Sequence, residues 1–273
     1  MTARFFPSVS DPVALVASVA LFALAAAILG SDSGPARNRP PPAAANVLPS
    51  DEILLRSFAL VALEREHEAE ADPGIAKWQA PIRVRLFGLA ATDAATGSFL
   101  WNHLRRLAAL SGLTIRHAAP GEPANYRIIF TARRHFADRV RASLDPGTEA
   151  VAVRLVRANC VGMFHQDVRT QAIVRATVII PVDHARARGL LRRCIVEETT
   201  QVLGLPNDAA LPVASVFNDT STADALSAHD ALLLKLLYHP TIRTGMKRHA
   251  ALAAARRALP SVRQRFLAGQ SGH

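Results

Sequence analysis

The residues of this chain that are best suited to chemistry lie in the segment 197–208, which reads Glu-Glu-Thr-Thr-Gln-Val-Leu-Gly-Leu-Pro-Asn-Asp. Glu197 and Gln201 are four positions apart, so on a helix their side chains lie on one face. Glu198 follows Glu197 directly and is turned from it by about 100° around the helix axis. Two neighbouring carboxyl groups can divide into a protonated acid and an ionised base, whereas carboxylate and amide oxygens together can bind a hard cation.

The residues that follow this helix add further oxygen atoms. Gly204 can adopt the positive φ with which many helices end. After that turn, Asn207 and Asp208 can fold back toward the face that carries Gln201. A second polar pair, Asn218 and Asp219, follows Phe217 a short distance along the chain. We therefore predict one candidate site, built from a helix and the loop behind it.

The layout of this site resembles that of the metzincin metallopeptidases, whose zinc motif is H-E-x-x-H-x-x-G-x-x-H. In that alignment Glu197, Gln201 and Asn207 stand where the family has its three histidines. Glu198 stands where the family has its general-base glutamate. The resemblance extends over roughly residues 172–238, and it concerns the layout rather than the ligands.

Two further segments carry the resemblance. Residues 214–217 stand where metzincins place a turn bearing a methionine, which here is Val216. Residues 226–238 match the closing helix of that family, with its L-x-x-x-D start and its L-Y end. The chain is also similar to a group of exported bacterial proteins of unknown function that carry E-E-x-T-Q-x-x-G-L-P-N-D followed by F-N-D. The resemblance implies an α+β fold, with a metzincin- or zincin-like domain, a mixed sheet, a motif-bearing helix and a closing C-terminal helix.

The loss of the histidines argues against a zinc peptidase, because catalytic zinc favours three protein ligands that include imidazoles. We expect no cofactor and no zinc. Oxygen ligands suit Ca²⁺, Mg²⁺ or Mn²⁺ better, and Glu197 and Asp208 are the residues that could bind such an ion.

Three interpretations of the motif remain open. The preferred one is a non-zinc pseudopeptidase with a binding or scaffolding role in the cell envelope, where its ligand is a peptide or a glycan. The alternative is an active hydrolase of peptide or glycan bonds, in which Glu197 and Glu198 act with or without a hard divalent metal. In the third, the motif is structural, and Glu197 and Gln201 hydrogen-bond the loop at Asn207 and Asp208.

The sequence divides into four regions. Residues 1–30 contain the apolar run 13–29 and three alanines suited to cleavage, so they are expected to form a signal peptide or a membrane anchor. Residues 31–49 form a Pro/Ala-rich linker, residues 50–242 the α+β domain, and residues 243–273 a basic tail that Pro260 breaks into two pieces. We therefore expect an exported protein that is periplasmic or anchored to the inner membrane.

Charge and cysteine usage fit this organisation. The net charge is +10, but seven basic residues and no acidic residue lie in residues 243–273, so the domain itself is close to neutral. A nucleic-acid partner is therefore not expected, whereas the run 13–29 and the basic tail are the expected membrane contacts. Cys160 and Cys194 are expected to form a disulfide, because an exported chain matures in an oxidising compartment.

The pattern of apolar residues also predicts individual elements of the domain. Expected strands are Pro81–Phe87, Leu113–Arg116, Asn125–Thr131, Val151–Val156 and Ile173–Val182. Expected helices are Ser50–Ala71, Thr92–Leu110, Arg133–Ser143, His184–Leu203 and Ser227–Tyr238. In this scheme the motif lies near the end of the fourth helix.

Overall fold

Seven strands of one mixed sheet and eight helices make up the part of the chain that the structure describes. In this computed structural model, that part comprises residues 19–23, 48–64, 74–88, 94–145, 147–218 and 221–270. The strands are β1 (Val19–Ala23), β2 (Lys77–Trp78), β3 (Ile82–Phe87), β4 (Ile115–His117), β5 (Tyr126–Thr131), β6 (Val161–Gln166) and β7 (Ala172–Pro181). The helices are α1 (Asp51–Leu63), α2 (Ala94–Ser111), α3 (Arg133–Arg141), α4 (Glu149–Leu155), α5 (Val182–Ala187), α6 (Leu191–Gln201), α7 (Ala228–Leu237) and α8 (Arg248–Gln270). The predicted α+β class is confirmed.

The sheet is mostly parallel. Its strand order is β1-β6-β7-β5-β3-β4, and the short β2 pairs in parallel with the start of β7. The neighbours β3/β4, β3/β5 and β5/β7 are also parallel. Two pairs are antiparallel, β6 with β7 and β1 with β6. As a result, β6 lies between the parallel strands and the N-terminal segment β1.

The two faces of the sheet contribute to two hydrophobic cores of different size. Successive residues of a strand point to opposite faces, and β7 shows this alternation. Val178 and Ile180 belong to the larger core, which is built with α1, α2, α6, α7 and α8. Ile179 belongs to a smaller core beneath α3 and α4, which includes Phe136 and Leu155. The motif-bearing helix α6 therefore packs on the larger side of the sheet.

Three of the predicted elements differ from the structure. The helix predicted over Ser50–Ala71 ends early, since α1 stops at Leu63 and Glu64 is extended. The strand predicted at Val151–Val156 is wrong, because these residues lie in helix α4. Ala152 and Leu155, three positions apart, are buried in this helix, so tertiary packing outweighs the β preference of the valines. The single helix predicted over His184–Leu203 is divided into α5 and α6 by a turn at Gly189, whose φ is +67°.

The C-terminal region differs from the predicted separate tail. Helix α8 is continuous through Pro260, so the predicted break at this proline is wrong. Leu259 and Val262 are buried in the larger core, where α8 packs against α1 and α7. Arg263 also forms an ion pair with Asp51 of α1, at 2.6 Å. This packing offsets the roughly 3 kcal/mol that a proline costs inside a helix.

The N-terminal prediction falls partly outside the described residues, since residues 1–18 and 24–47 are not among them. Within the described ranges, none of the helices combines the length and the apolar character that crossing a membrane requires. The segment Val19–Ala23 is strand β1, and all five of its residues pair with β6, from His165 back to Val161. Export and anchoring through residues 1–30 stay predictions.

Candidate functional site

The motif-bearing helix α6 is fixed to the sheet by a disulfide. Cys160, immediately before β6, is bonded to Cys194 in the first turn of α6, as predicted. Both half-cystines are fully buried. The bridge therefore holds the start of β6 against the start of the helix that carries Glu197 and Glu198.

Glu198 is buried between α6 and β6, with only 1% of its surface exposed. Its Oε2 lies 2.9 Å from the point that a Cβ on Gly162 of β6 would occupy, so the glycine makes room for the carboxyl group. Burial raises the pKa of Glu198 well above its usual value, and the negative charges of Glu197 and Asp208 raise it further. The Oε2 atom has no hydrogen-bond partner among the described residues. Glu198 is therefore favoured as a neutral carboxylic acid.

Glu197 is equally buried but faces a different partner. Its Oε2 accepts a hydrogen bond from Nε of Arg193, 3.1 Å away and one turn back on α6. The two adjacent carboxyl groups consequently have different surroundings. Glu197 has a cationic partner, whereas Glu198 lies against the backbone of β6.

The loop behind α6 folds back as the glycine turn predicts. Gly204 has a φ of +110°, and a Cβ there would lie 2.0 Å from the carbonyl oxygen of Ala76, so no other residue fits without a backbone shift. Nε2 of Gln201 donates a hydrogen bond to Oδ1 of Asp208 at 2.6 Å. Nδ2 of Asn207 donates instead to the carbonyl oxygen of Leu60 at the end of α1. The structure therefore brings Asp208 to Gln201, and turns the amide nitrogen of Asn207 toward α1.

The second polar pair lies farther along the chain. Nδ2 of Asn218 donates a hydrogen bond to the carbonyl oxygen of Leu211 at 2.9 Å, which closes the loop between them. Asp219 lies outside the described residues. Val216, in the turn before this pair, is buried in the larger core.

Asp230 connects that turn to α7. Its carboxylate accepts hydrogen bonds from the Ser215 hydroxyl and the Val216 N–H, at 2.6 and 3.2 Å. It also accepts from the N–H and the hydroxyl of Ser227, while the Ser227 hydroxyl caps the helix in return. Burial raises the pKa of Asp230, and these hydrogen bonds act in the opposite direction. The aspartate of the L-x-x-x-D pattern thus joins the turn to the closing helix.

A comparison with protein families matches residues 51–257 to a model described as a protein of unknown function (DUF2927). This range runs from the start of α1 into α8 and contains every motif residue discussed above. The chain belongs to the DUF2927 family. Neither the curated proteins nor the solved structures provide a match to it. The expected membership in a family of uncharacterised proteins is thereby confirmed, and the metzincin resemblance stays a prediction.

In this DUF2927 chain, one histidine that the sequence analysis did not single out packs against the motif helix. His103 of α2 is buried, and its Nε2 lies 3.2 Å from Oγ1 of Thr200. Burial lowers the pKa of His103 to about 4, and the charge of Arg106 contributes to this. The sequence signal was available, because His103 shares the apolar face of α2 with Leu100 and Leu107.

His165 is also buried, but it lies away from the motif. Along β6, His165 points to the same face of the sheet as Val161 and Met163, which contribute to the smaller core. Gly162 points to the opposite face, toward Glu198. Its Nδ1 lies 3.1 Å from Oδ2 of Asp145. The structure therefore separates His165 from the two glutamates by the thickness of the sheet.

The donor set of this DUF2927 site is one of oxygen atoms. Among the described residues, no group of three or more His, Cys, Asp or Glu side chains is placed to bind a metal ion. Glu197 and Asp208, the oxygens expected for a hard metal, contact Arg193 and Gln201 respectively. Oε1 of Gln201 and Oδ1 of Asn207 are buried acceptors that lack a hydrogen-bond partner within the described part of the chain. A hard cation is the class of metal that such oxygens would suit.

Proposed function

We propose that this protein is an exported, non-zinc pseudopeptidase that binds an extended peptide along the outer edge of β6 in the cell envelope. The observation that carries this proposal is the pairing of β1 with β6. A segment far from the domain in sequence adds one antiparallel strand to the sheet there. Strand addition of this kind is a common way for a protein to bind a peptide, because main-chain hydrogen bonds supply the affinity.

Processing of the N-terminus would make this edge available. Cleavage at residues 25–27, which the sequence predicts, would separate Val19–Ala23 from the domain. The outer N–H and C=O groups of β6 would then have no strand partner, and unpaired edges of this kind bind extended segments. In the unprocessed chain β1 fills the position that the ligand takes in the mature protein.

The surroundings of β6 support a preorganised edge. The disulfide between Cys160 and Cys194 joins the residue just before β6 to α6, and β7 pairs with the inner side of β6. Glu198 packs directly behind Gly162, so the motif helix supports the strand from the core side. The disulfide is also in keeping with an oxidising compartment. Because β6 is already held in place by these contacts, it loses less conformational freedom when a peptide binds.

The proposal is tested by comparing the full chain with the mature protein purified from the envelope fraction, whose N-terminus is determined by mass spectrometry. A fluorescent peptide with the sequence of residues 17–25 should bind the mature protein and not the full chain. The matched control is the same peptide N-methylated at alternate residues, which cannot complete the backbone ladder and should bind much more weakly. Hydrogen exchange of residues 161–166 should slow when the first peptide is added. Equal binding of both peptides, or an intact N-terminus in the envelope, would contradict the proposal.

One observation favours the hydrolase alternative. The environments of Glu197 and Glu198 differ as an acid and a base require, since the first has the partner Arg193 and the second has a raised pKa. Both carboxyl groups are 1% exposed, so substrate would reach them only after β6 or the motif loop moved. The test is turnover of peptide and glycan libraries with Ca²⁺, Mg²⁺ or Mn²⁺ and with a chelator. Turnover that Glu198→Gln abolishes would favour the hydrolase, and its absence in every condition favours the pseudopeptidase.

A further inference from the structure

The sheet face opposite α6 carries a row of arginines on neighbouring strands. Arg85 of β3 and Arg127 of β5 are direct partners in the register, and Arg175 lies on β7, the next strand. Like charges directly opposite each other on a sheet are destabilising. Arg85 is stabilised by the carbonyl oxygens of Ala119 and Glu122, to which it donates hydrogen bonds. Arg127 and Arg175 remain as neighbouring cations on this face.

The hydrogen-bonding capacity of these two arginines is incompletely used. Nη2 of Arg127 donates to Oγ1 of Thr177 at 3.2 Å. The Nε atoms of Arg127 and of Arg175 are buried, and neither has a hydrogen-bond partner among the described residues. Burial and the charge of Arg175 lower the pKa of Arg127. Because a buried unpaired donor is costly, this arrangement favours the arrival of an acceptor.

One carboxylate, that of Asp145, lies beside Arg175. Oδ1 of Asp145 is 3.5 Å from Nη2 of Arg175, and its Oδ2 is 3.1 Å from Nδ1 of His165. His165 is 1% exposed, and its Nε2 also has no hydrogen-bond partner within the described part of the chain. Burial lowers the pKa of His165, and the charge of Arg175 lowers it further. The Asp145 carboxylate thus faces one cation, Arg175, and one histidine whose neutral form is favoured.

A cavity of about 330 Å³ adjoins Arg127. Its lining includes Phe87 and Ile129 from the sheet, and Arg139 from α3. The volume is at the lower end of what small-molecule sites occupy, and the combination of apolar walls with a few charged groups is typical of them. The cavity therefore suits a ligand that combines an anionic group with a small apolar body.

We propose that Arg127, assisted by Arg139, binds the oxyanion of a small soluble organic phosphate or carboxylate, whose apolar part occupies the cavity between Phe87 and Ile129. A phosphate or carboxylate oxygen would accept hydrogen bonds from the guanidinium groups, which match such acceptors in geometry. This site lies on the face of the sheet opposite Glu198 and is independent of the peptide-binding edge.

The test uses the full-length protein and three probes, inorganic phosphate, phenyl phosphate and benzoate, measured by isothermal titration calorimetry. Phenyl phosphate or benzoate should bind more tightly than inorganic phosphate, because only the organic probes fill the cavity. Arg127→Gln should weaken that binding about tenfold or more, as the loss of a charge-assisted hydrogen bond predicts. Arg139→Gln, on an exposed helix position, should weaken it by a smaller factor.

Two controls separate a binding role from a structural one. Arg141→Gln removes the same charge from an exposed residue that pairs with Asp138, and it should leave binding unchanged. Without ligand, Arg127→Gln should not lower the melting temperature, because it removes a buried cation beside another cation. The proposal is overturned if no probe binds at millimolar concentration, or if Arg127→Gln and Arg141→Gln weaken binding equally. It is also overturned if phenyl phosphate raises the melting temperature of Arg127→Gln as much as that of the wild type.

Discussion

The disulfide beneath the motif helix offers the sharpest test of how the site is held. Cys160 and Cys194 are 34 positions apart, and replacing both by alanine releases this loop in the unfolded chain. The loop-entropy relation gives a loss of about 4 kcal/mol for a loop of this length. Typical domains have a free energy of unfolding of about 5–15 kcal/mol, so the double variant should remain folded but with a much smaller free energy of unfolding. For a domain of this size the melting temperature should fall by about 8–15 °C.

The assay is urea unfolding of the wild type and of Cys160→Ala/Cys194→Ala, each with and without reductant. Reductant should lower the free energy of unfolding of the wild type to nearly that of the variant. It should leave the free energy of unfolding of the variant unchanged, so the variant is the control for other effects of the reductant. Hydrogen exchange should speed up first in β6 and in the first turn of α6, the two elements that the bridge joins. A variant within about 1 kcal/mol of the wild type would refute the entropic argument. The same conclusion would follow if reductant destabilised both proteins equally.

Three further perturbations have definite expected outcomes. Glu198→Gln should stabilise the protein at neutral pH. Because folding raises the pKa of Glu198, the free energy of unfolding of the wild type falls as pH rises from the unfolded pKa toward the folded one. Urea unfolding from about pH 5 to pH 8 should show this fall in the wild type and a smaller one in the variant. Gly162→Ala should lower the free energy of unfolding by about 1–3 kcal/mol in the same assay, because its Cβ would meet Oε2 of Glu198 at 2.9 Å. Gly269→Ala is the control and should lower it by nothing, since no atom lies within 4 Å of the added Cβ. Asp230→Ala should cost about 3 kcal/mol or more, since it leaves buried donors unpaired, and a loss no greater than that of exposed Asp224→Ala would contradict this role.

The strands with clear alternation were predictable, whereas the strand that matters most for the proposal was not. The pattern apolar–basic–apolar over β3 follows from one buried and one partly exposed face, and the prediction there is confirmed. Every residue of β6 is buried, because β7 and β1 flank it and both faces are covered, so its sequence shows no alternation. The valines of α4 led to the wrong prediction of a strand. The β preference of single residues takes no account of the core against which α4 packs as a helix.

The candidate site was predictable in its spacing but not in its burial. The spacing of Glu197 and Gln201, and the turn at Gly204, follow from helix geometry and from backbone sterics. The partners of these residues depend on the face that α6 presents to the sheet, and a single sequence does not specify that face. For this reason the position of Glu198 against Gly162 is known only from the structure, whereas the pairing of Glu197 with Arg193 follows from their i, i+4 spacing.

The packing of α8 on α1 sets the order in which the domain can be completed. Arg263 and Asp51 are 212 positions apart, so their contact encloses nearly the whole domain. During synthesis α1 is made long before α8, so it has no α8 to pack against until the last helix follows. The larger core therefore stays incomplete until α8 has been made. The apolar face of α1 stays uncovered for that time, and exposed apolar surface of this kind favours aggregation.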